Sequence, residues 1–128
     1  MDQHVKLPLE KLAEFPGALA WYLLGSAAKG TMRPDSDVDL ALLPCPDAVI
    51  DRSTLLHWAG DLALELGREI DVGVLDSSNL VYAKEALLHG RRIVCADEPA
   101  ANRRASELLS LYLRFQEDRK EVLDAYRA

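Results

Sequence analysis

Apolar and polar positions along the 128-residue chain follow two different periods. Short apolar runs, alternating or continuous, predict four β-strands at 18–24, 37–43, 69–75 and 92–95. Apolar residues three and four positions apart predict four helices at 7–15, 51–66, 76–88 and 99–126. The order α-β-β-α-β-α-β-α predicts an α/β (α+β) fold, in which helices cover a mixed four-stranded sheet.

Local sequence patterns give further detail for three of these elements. Gly67 is a natural stop for the helix at 51–66, and Asp76-Ser77-Ser78 is expected to cap the helix that follows the third strand. Gly73 interrupts that strand and is expected to leave space beside Asp71 for a ligand. The stripe of the helix at 51–66 is expected to be buried and consists of Leu55, Leu56, Ala59, Leu62, Ala63 and Leu66.

The last helix carries more apolar surface than one narrow stripe. Leu109, Leu111 and Leu113 widen a face that already contains Ala101, Ala105, Leu108, Tyr112, Phe115, Val122 and Tyr126. Such a face suits the core, a homo-oligomer contact or a partner protein. A single domain over 1–128 is expected, with its core at about 18–95 and this helix at about 99–126.

Composition narrows the class of protein. Apolar residues make up 49% and charged residues 28%, as in ordinary globular domains. The formal charge of −6 offers no basic footprint for direct nucleic-acid binding, which argues against a polymerase or an RNA-tailing enzyme. No apolar run approaches a membrane span and the start MDQHVKLPLE has no signal-peptide core, so a cytoplasmic location without membrane contact is expected. Cys45 and Cys95 close apolar runs and are expected to be buried, reduced thiols.

The stretch 23–43, LLGSAAKGTMRPDSDVDLALL, carries the candidate chemistry. Asp37 and Asp39 are two residues apart on a strand, so they project to the same face and repel each other unless a divalent cation lies between them. Their hard oxygen ligands suit Mg²⁺ or Mn²⁺. Asp-x-Asp alone is common on solvated strands, but here Gly25-Ser26 ends the preceding strand and can approach a phosphate.

One competing phosphate motif can be excluded. Gly25 and Gly30 have the spacing of a P-loop and follow a predicted strand. A P-loop continues with Lys and then Ser or Thr, whereas Thr31 and Met32 follow here. The chain therefore lacks the lysine that a P-loop uses to reach the terminal phosphates.

Gly-Ser, ten residues and then Asp-x-Asp resembles the signature of the nucleotidyltransferase superfamily related to DNA polymerase beta. The local sequence GSAAKG…PDSDVDLALL is similar to that of the minimal nucleotidyltransferase (MNT) branch, and the resemblance covers roughly residues 18–95. It implies the nucleotidyltransferase fold, with a mixed and mainly antiparallel sheet. The short chain and its long C-terminal helix further resemble MntA-like antitoxins, which are paired with HEPN-domain toxins.

The resemblance assigns three carboxylates to catalysis and metal binding. Asp37 and Asp39 would hold two Mg²⁺ ions, with Mn²⁺ as the substitute, between nucleotide phosphates and the attacking oxygen. The family's third acid lies on a later strand, where this chain has EIDVGV. Asp71 is preferred to Glu69 because core residues flank it, and to Asp76 because that residue belongs to a predicted helix cap. Asp71 would also accept the proton of the attacking hydroxyl.

The nucleotide would lie against the Gly-Ser bend. The resemblance implies that Gly25 and Ser26 bind the β- and γ-phosphates of ATP and that Lys29 adds positive charge. The family usually has arginine at position 29, and lysine lacks its forked geometry, which bears on the strength of triphosphate binding. The alternative is that Lys29 is simply a solvated helix residue with no role in nucleotide binding.

The implied activity is transfer of AMP from ATP to a hydroxyl, with tyrosine of a cognate HEPN toxin as the expected acceptor. Two alternatives remain open at this point. The first is a catalytically silent antitoxin that neutralises its partner by binding. The second is an adenylyltransferase acting on a small molecule such as an aminoglycoside, which would need extra sequence or a second subunit to hold the sugar.

Overall fold

Four strands form one mixed sheet in a computed structural model that describes residues 7–25 and 37–127. The strands are β1 (Ala18–Leu24), β2 (Val38–Pro44), β3 (Ile70–Val74) and β4 (Arg91–Cys95), and they lie in the order β3-β2-β1-β4. β1 is antiparallel to both β2 and β4, whereas β2 and β3 are parallel. The predicted mixed, mainly antiparallel sheet is confirmed.

Helices cover both faces of this sheet. They are α1 (Leu9–Glu14), α2 (Arg52–Leu66), α3 (Leu80–His89) and α4 (Glu98–Arg127), so the predicted order of elements is confirmed. Side chains of β2 alternate between two cores, because successive residues of a strand point to opposite faces. Val38, Leu40 and Leu42 pack with residues of α1 and α2. Ala41 and Leu43 pack with residues of α3 and α4.

An aromatic cluster of Phe15, Trp21 and Trp58 anchors the α1–α2 side. The rings of Trp21 and Trp58 stack with centroids 5.0 Å apart, and Phe15 meets Trp21 edge-on at 6.0 Å. Trp21 is fully buried, and its Nε1 donates a hydrogen bond to the carbonyl oxygen of Leu12 at 2.6 Å. This bond satisfies the polar atom of the indole inside the core.

The helix ends agree with the sequence in one case and differ in another. Gly67 ends α2 in the left-handed conformation with φ of 67°. At the start of α3, however, Asn79 is the N-cap, and its side chain accepts a hydrogen bond from the backbone of Tyr82 at 3.1 Å. Asp76 instead accepts hydrogen bonds from Ser78 within the preceding turn. The expected cap at 76–78 is therefore wrong, because the turn uses those side chains before the helix begins.

Two expectations about burial are wrong, and the last helix is only partly covered. Leu56, placed in the buried stripe of α2, is 68% exposed. Cys45 is half-buried and Cys95 is exposed, and both are free thiols, so their expected burial is wrong. The second half of α4 extends beyond the sheet and leaves apolar side chains in solvent, among them Leu113, Phe115, Val122, Leu123 and Tyr126. No helix in the described ranges is both long and apolar enough to cross a membrane.

Candidate active site

The register of the two parallel strands brings two of the predicted acids together. Asp39 of β2 is the direct partner of Asp71 of β3. Both side chains lie on the sheet face that α3 covers, since Ala41 and Gly73 follow them two residues later on the same face. Asp39 is partly buried, whereas Asp71 and Asp37 are exposed at the rim. The carboxylates of 39 and 71 thus stand side by side at one end of the sheet.

Electrostatic repulsion is built into this arrangement. Burial raises the pKa of Asp39, and the neighbouring Asp71 carboxylate raises it further by repulsion and by a side-chain hydrogen bond. Repulsion from Asp37 acts in the same direction. A cation bound among these oxygens would relieve the repulsion. Repulsion among carboxylates brings no benefit to a purely structural cluster, so this arrangement favours a functional site.

The end of β1 closes onto the same carboxylates. Gly25 has φ of 66°, a left-handed conformation that side chains rarely adopt. A Cβ atom at this position would lie 3.1 Å from Oδ2 of Asp39, so the missing side chain lets the backbone turn beside the acid. Of the predicted phosphate-binding residues, Gly25 is therefore at the site, while Ser26 and Lys29 lie outside the described residues.

The carboxylates at this site could bind Mg²⁺ only if a substrate supplied further oxygen ligands. Within 7–25 and 37–127, no three acidic, His or Cys side chains gather closely enough to enclose a metal ion by themselves. Mg²⁺, however, is commonly held by one or two carboxylates together with phosphate oxygens and water. Asp39 and Asp71 supply such a pair, and Asp37 adds a third negative charge at the rim.

A cleft of about 710 Å³ opens beside the acids. Its volume is within the usual range for small-molecule sites. Apolar side chains of α2 and β3 line one part, and polar groups line the other. The lining residues are Leu24, Asp39, Arg52, Leu56, Ala59, Ile70, Asp71, Val72, Gly73, Val74, Ser78, Asn79 and Tyr82.

Tyr82 is a site residue that the sequence analysis missed. Its ring lies against Gly73, where an added Cβ would be 2.5 Å from Cζ of the phenol. The space expected beside Asp71 is therefore occupied by this ring and is not open to a ligand. Burial raises the pKa of Tyr82, and so do the negative charges of Asp39 and Asp71. The glycine within a strand was the available signal, but its partner on α3 becomes apparent only in three dimensions.

Gly73→Ala tests whether the position of Tyr82 matters. The new methyl group should displace the ring toward the carboxylates and lower the catalytic activity of this candidate site about 10-fold, with a loss of about 1–3 kcal/mol in unfolding free energy. Activity assays and thermal unfolding would measure the two effects. Gly60→Ala is the matched control, because nothing lies within 4 Å of that site on α2. An unchanged rate in Gly73→Ala would show that the contact between Gly73 and Tyr82 is irrelevant to catalysis.

Comparison with known proteins agrees with this geometry. The family model "Polymerase beta, Nucleotidyltransferase" matches residues 9–99, which is most of the chain. The chain is also 32% identical over 120 residues to bifunctional uridylyltransferase/uridylyl-removing enzymes of Burkholderia mallei and Burkholderia pseudomallei. The match covers 86% of this chain but only 12% of those proteins.

Solved structures with a similar fold come from toxin–antitoxin complexes. A chain of a toxin–antitoxin crystal structure with AMP-PNP superposes with a TM-score of 0.75 at 24% identity, covering 95% of this chain and all of that one. A chain of a mutant MntA-HpeT complex gives a TM-score of 0.74 at 25% identity and covers 94% of both chains. A complex of a tri-AMPylated Shewanella oneidensis HEPN toxin with an MNT antitoxin gives 0.70 at 22%, covering 94% of this chain and 96% of the matched one.

Proposed function

This chain belongs to the polymerase beta nucleotidyltransferase family, and on that premise we propose that it transfers a nucleoside monophosphate from a magnesium-bound nucleotide to a protein hydroxyl. The main support is the register of Asp39 with Asp71 beside the turn at Gly25. A carboxylate pair under mutual repulsion, next to a glycine whose backbone approaches one of the carboxylates, suits phosphoryl-transfer chemistry. The proposed catalytic and metal-binding residues are Asp37, Asp39 and Asp71.

The finer proposal is an antitoxin that modifies its toxin. ATP would be the donor, AMP the transferred group and a tyrosine of a cognate HEPN toxin the acceptor, in the cytoplasm. Support comes from the fold shared with chains of toxin–antitoxin complexes, one holding AMP-PNP and one a tri-AMPylated toxin. Modification of the toxin would then neutralise it.

The reaction is an in-line displacement at the α-phosphorus of ATP. The tyrosine oxygen forms a bond to phosphorus, the bond from phosphorus to the bridging oxygen of pyrophosphate breaks, and pyrophosphate leaves. Asp71, exposed at the rim, accepts the phenolic proton and passes it to solvent. When bound, Mg²⁺ supplies positive charge against the developing charge on the entering and leaving oxygens. Asp39 and Asp37 would hold the ion, whose charge would keep the donor nucleotide in place.

The main test is a transfer assay with α-labelled nucleotide, Mg²⁺ and a candidate cognate HEPN-domain toxin. We expect label on a toxin tyrosine with ATP, and loss of that label with an Asp37→Asn/Asp39→Asn double variant. UTP is the second donor to try, because the curated relatives are named uridylyltransferases. Full transfer by the double variant, or none by the native chain with any nucleotide, would overturn the proposal.

Two other functions remain testable in the same system. A silent binder would neutralise the toxin in cells even when Asp37, Asp39 and Asp71 are all changed to Asn. A small-molecule adenylyltransferase would label an aminoglycoside and leave the toxin unlabelled. The repulsive carboxylate cluster argues against the silent binder, because binding alone gives no reason to keep a raised pKa at Asp39.

A further inference from the structure

The outer edge of β3 has no strand beside it in the part of the chain that the structure describes. The backbone N–H of Val38 donates to the carbonyl of Glu69 at 2.9 Å, and that of Leu75 donates to Leu42 at 2.8 Å. Along a parallel strand, residues that bond to one side alternate with residues that bond to the other. The backbone N–H and C=O groups of residues 69, 71, 73 and 75 therefore point toward β2. Ile70, Val72 and Val74 direct their N–H and C=O groups outward.

These outward groups lie inside the cleft that contains the carboxylates. All five residues of β3 line it, so the cleft follows the free edge of the strand, and we call it the β3 edge groove. Leu56 and Arg52 of α2 form one wall, and Leu56 is 68% exposed there. Asn79 and Tyr82 form part of the other wall. The groove thus combines unpaired backbone groups, an apolar wall and the Asp39–Asp71 pair.

We propose that the acceptor protein docks in the β3 edge groove as an extended segment and adds a fifth strand to the sheet. A free edge offers evenly spaced donors and acceptors, and a peptide strand is the partner that matches that spacing. Five residues of β3 span about 17 Å, long enough to pair with a segment of similar length. This inference rests on the proposed transfer to a protein hydroxyl.

The groove also specifies the chemistry of the segment. Exposed Leu56 fits an apolar side chain on the α2 side. Arg52 makes no ion pair or hydrogen bond with other described residues, so it favours an acidic side chain on the same wall. Because side chains alternate along a strand, the acceptor tyrosine would face the other wall, where Asp71 lies. The segment would thus carry its hydroxyl directly to the proposed base.

Val72→Pro tests the added strand. The N–H of Val72 points outward, so proline removes a donor from the groove while the bonds to β2 remain. We expect kcat/KM for the protein acceptor to fall at least about 10-fold through KM, with binding of Mg·ATP unchanged within about two-fold. Val72→Ala also loses the valine side chain but keeps the N–H, so the fall in Val72→Pro is measured against this variant. Equal transfer by Val72→Pro and Val72→Ala would overturn the docking mode.

Amide hydrogen exchange gives a second test in the native chain. The amides of Ile70, Val72 and Val74 should exchange rapidly in the free protein and be protected at least about 10-fold when the toxin is added. Absence of protection overturns the proposal even if Val72→Pro fails to fold, and so does concentration-dependent protection without the toxin, which would indicate pairing between two copies of this chain. If the native chain transfers no label, the proposed function fails, while protection by bound toxin would still support the groove.

Discussion

Asp39→Asn should lower nucleotidyl transfer by about 10³-fold or more and, at the same time, raise the melting temperature of the free protein by about 2 °C. The activity would fall because an amide lacks the negative charge that the proposed metal site needs beside Asp71. The stability rises because the repulsion among residues 37, 39 and 71 is reduced, and the amide can still donate a hydrogen bond to Asp71. Initial rates with labelled nucleotide and thermal unfolding without metal would measure both effects.

Opposite changes in activity and stability distinguish a functional carboxylate from a structural one. Asp47→Asn is the matched control, because Asp47 is an exposed acid that does not line the cleft. It should leave both quantities unchanged. In the native chain, Mg²⁺ with a non-hydrolysable nucleotide should raise the melting temperature, and Asp39→Asn should abolish that shift. A variant that is less stable and fully active would refute the assigned role of Asp39.

Trp21→Ala should lower the free energy of unfolding by about 3–5 kcal/mol, which is a large part of the stability of a small domain. The substitution removes a fully buried indole, its stacking on Trp58 and its edge contact with Phe15. It also leaves the carbonyl of Leu12 without the hydrogen bond from Nε1. Denaturant unfolding followed by circular dichroism would measure the loss.

Trp21→Phe separates packing from hydrogen bonding at this position. A smaller aromatic ring replaces the indole and the donor to Leu12 is lost, so a smaller cost of about 1–2 kcal/mol is expected. The cluster lies on the α1–α2 side, whereas Asp39 faces α3. Folded Trp21→Phe should therefore retain its transfer rate. A loss of stability for Trp21→Ala no larger than that for Trp21→Phe would show that stacking on Trp58 contributes little.

The predicted family and the predicted order of elements are both confirmed, and the reason is local. Helices and strands are predicted from the spacing of apolar residues along the chain. β1 and β2 are short, nearly continuous apolar runs, because helices cover both faces of the sheet and almost all of their residues are buried. Gly25-Ser26 and Asp37-x-Asp39 indicate the family because both motifs, and the ten residues between them, are apparent in a short stretch of sequence. The match over residues 9–99 agrees with that identification.

Side-chain burial and helix capping were harder to predict from the sequence, because they depend on the fold around each residue. Leu56 has helical spacing suited to the core, yet α2 turns it into the cleft beside β3. Asp76 and Asn79 are both good capping residues, and the choice between them depends on where the turn after β3 ends. No periodicity in the sequence contains that information.

From its sequence alone, this protein's elements and its family could be determined, since they depend on residues close together in the chain, and the family resemblance then proposed its candidate acids. Tertiary structure alone decided that β3 pairs in parallel with β2, which sets Asp71 beside Asp39, and that Tyr82 fills the space over Gly73. It also left the outer edge of β3 without a neighbouring strand among the described residues. These features arise from contacts between segments about 10 to 30 residues apart, where packing of the whole sheet selects the neighbour.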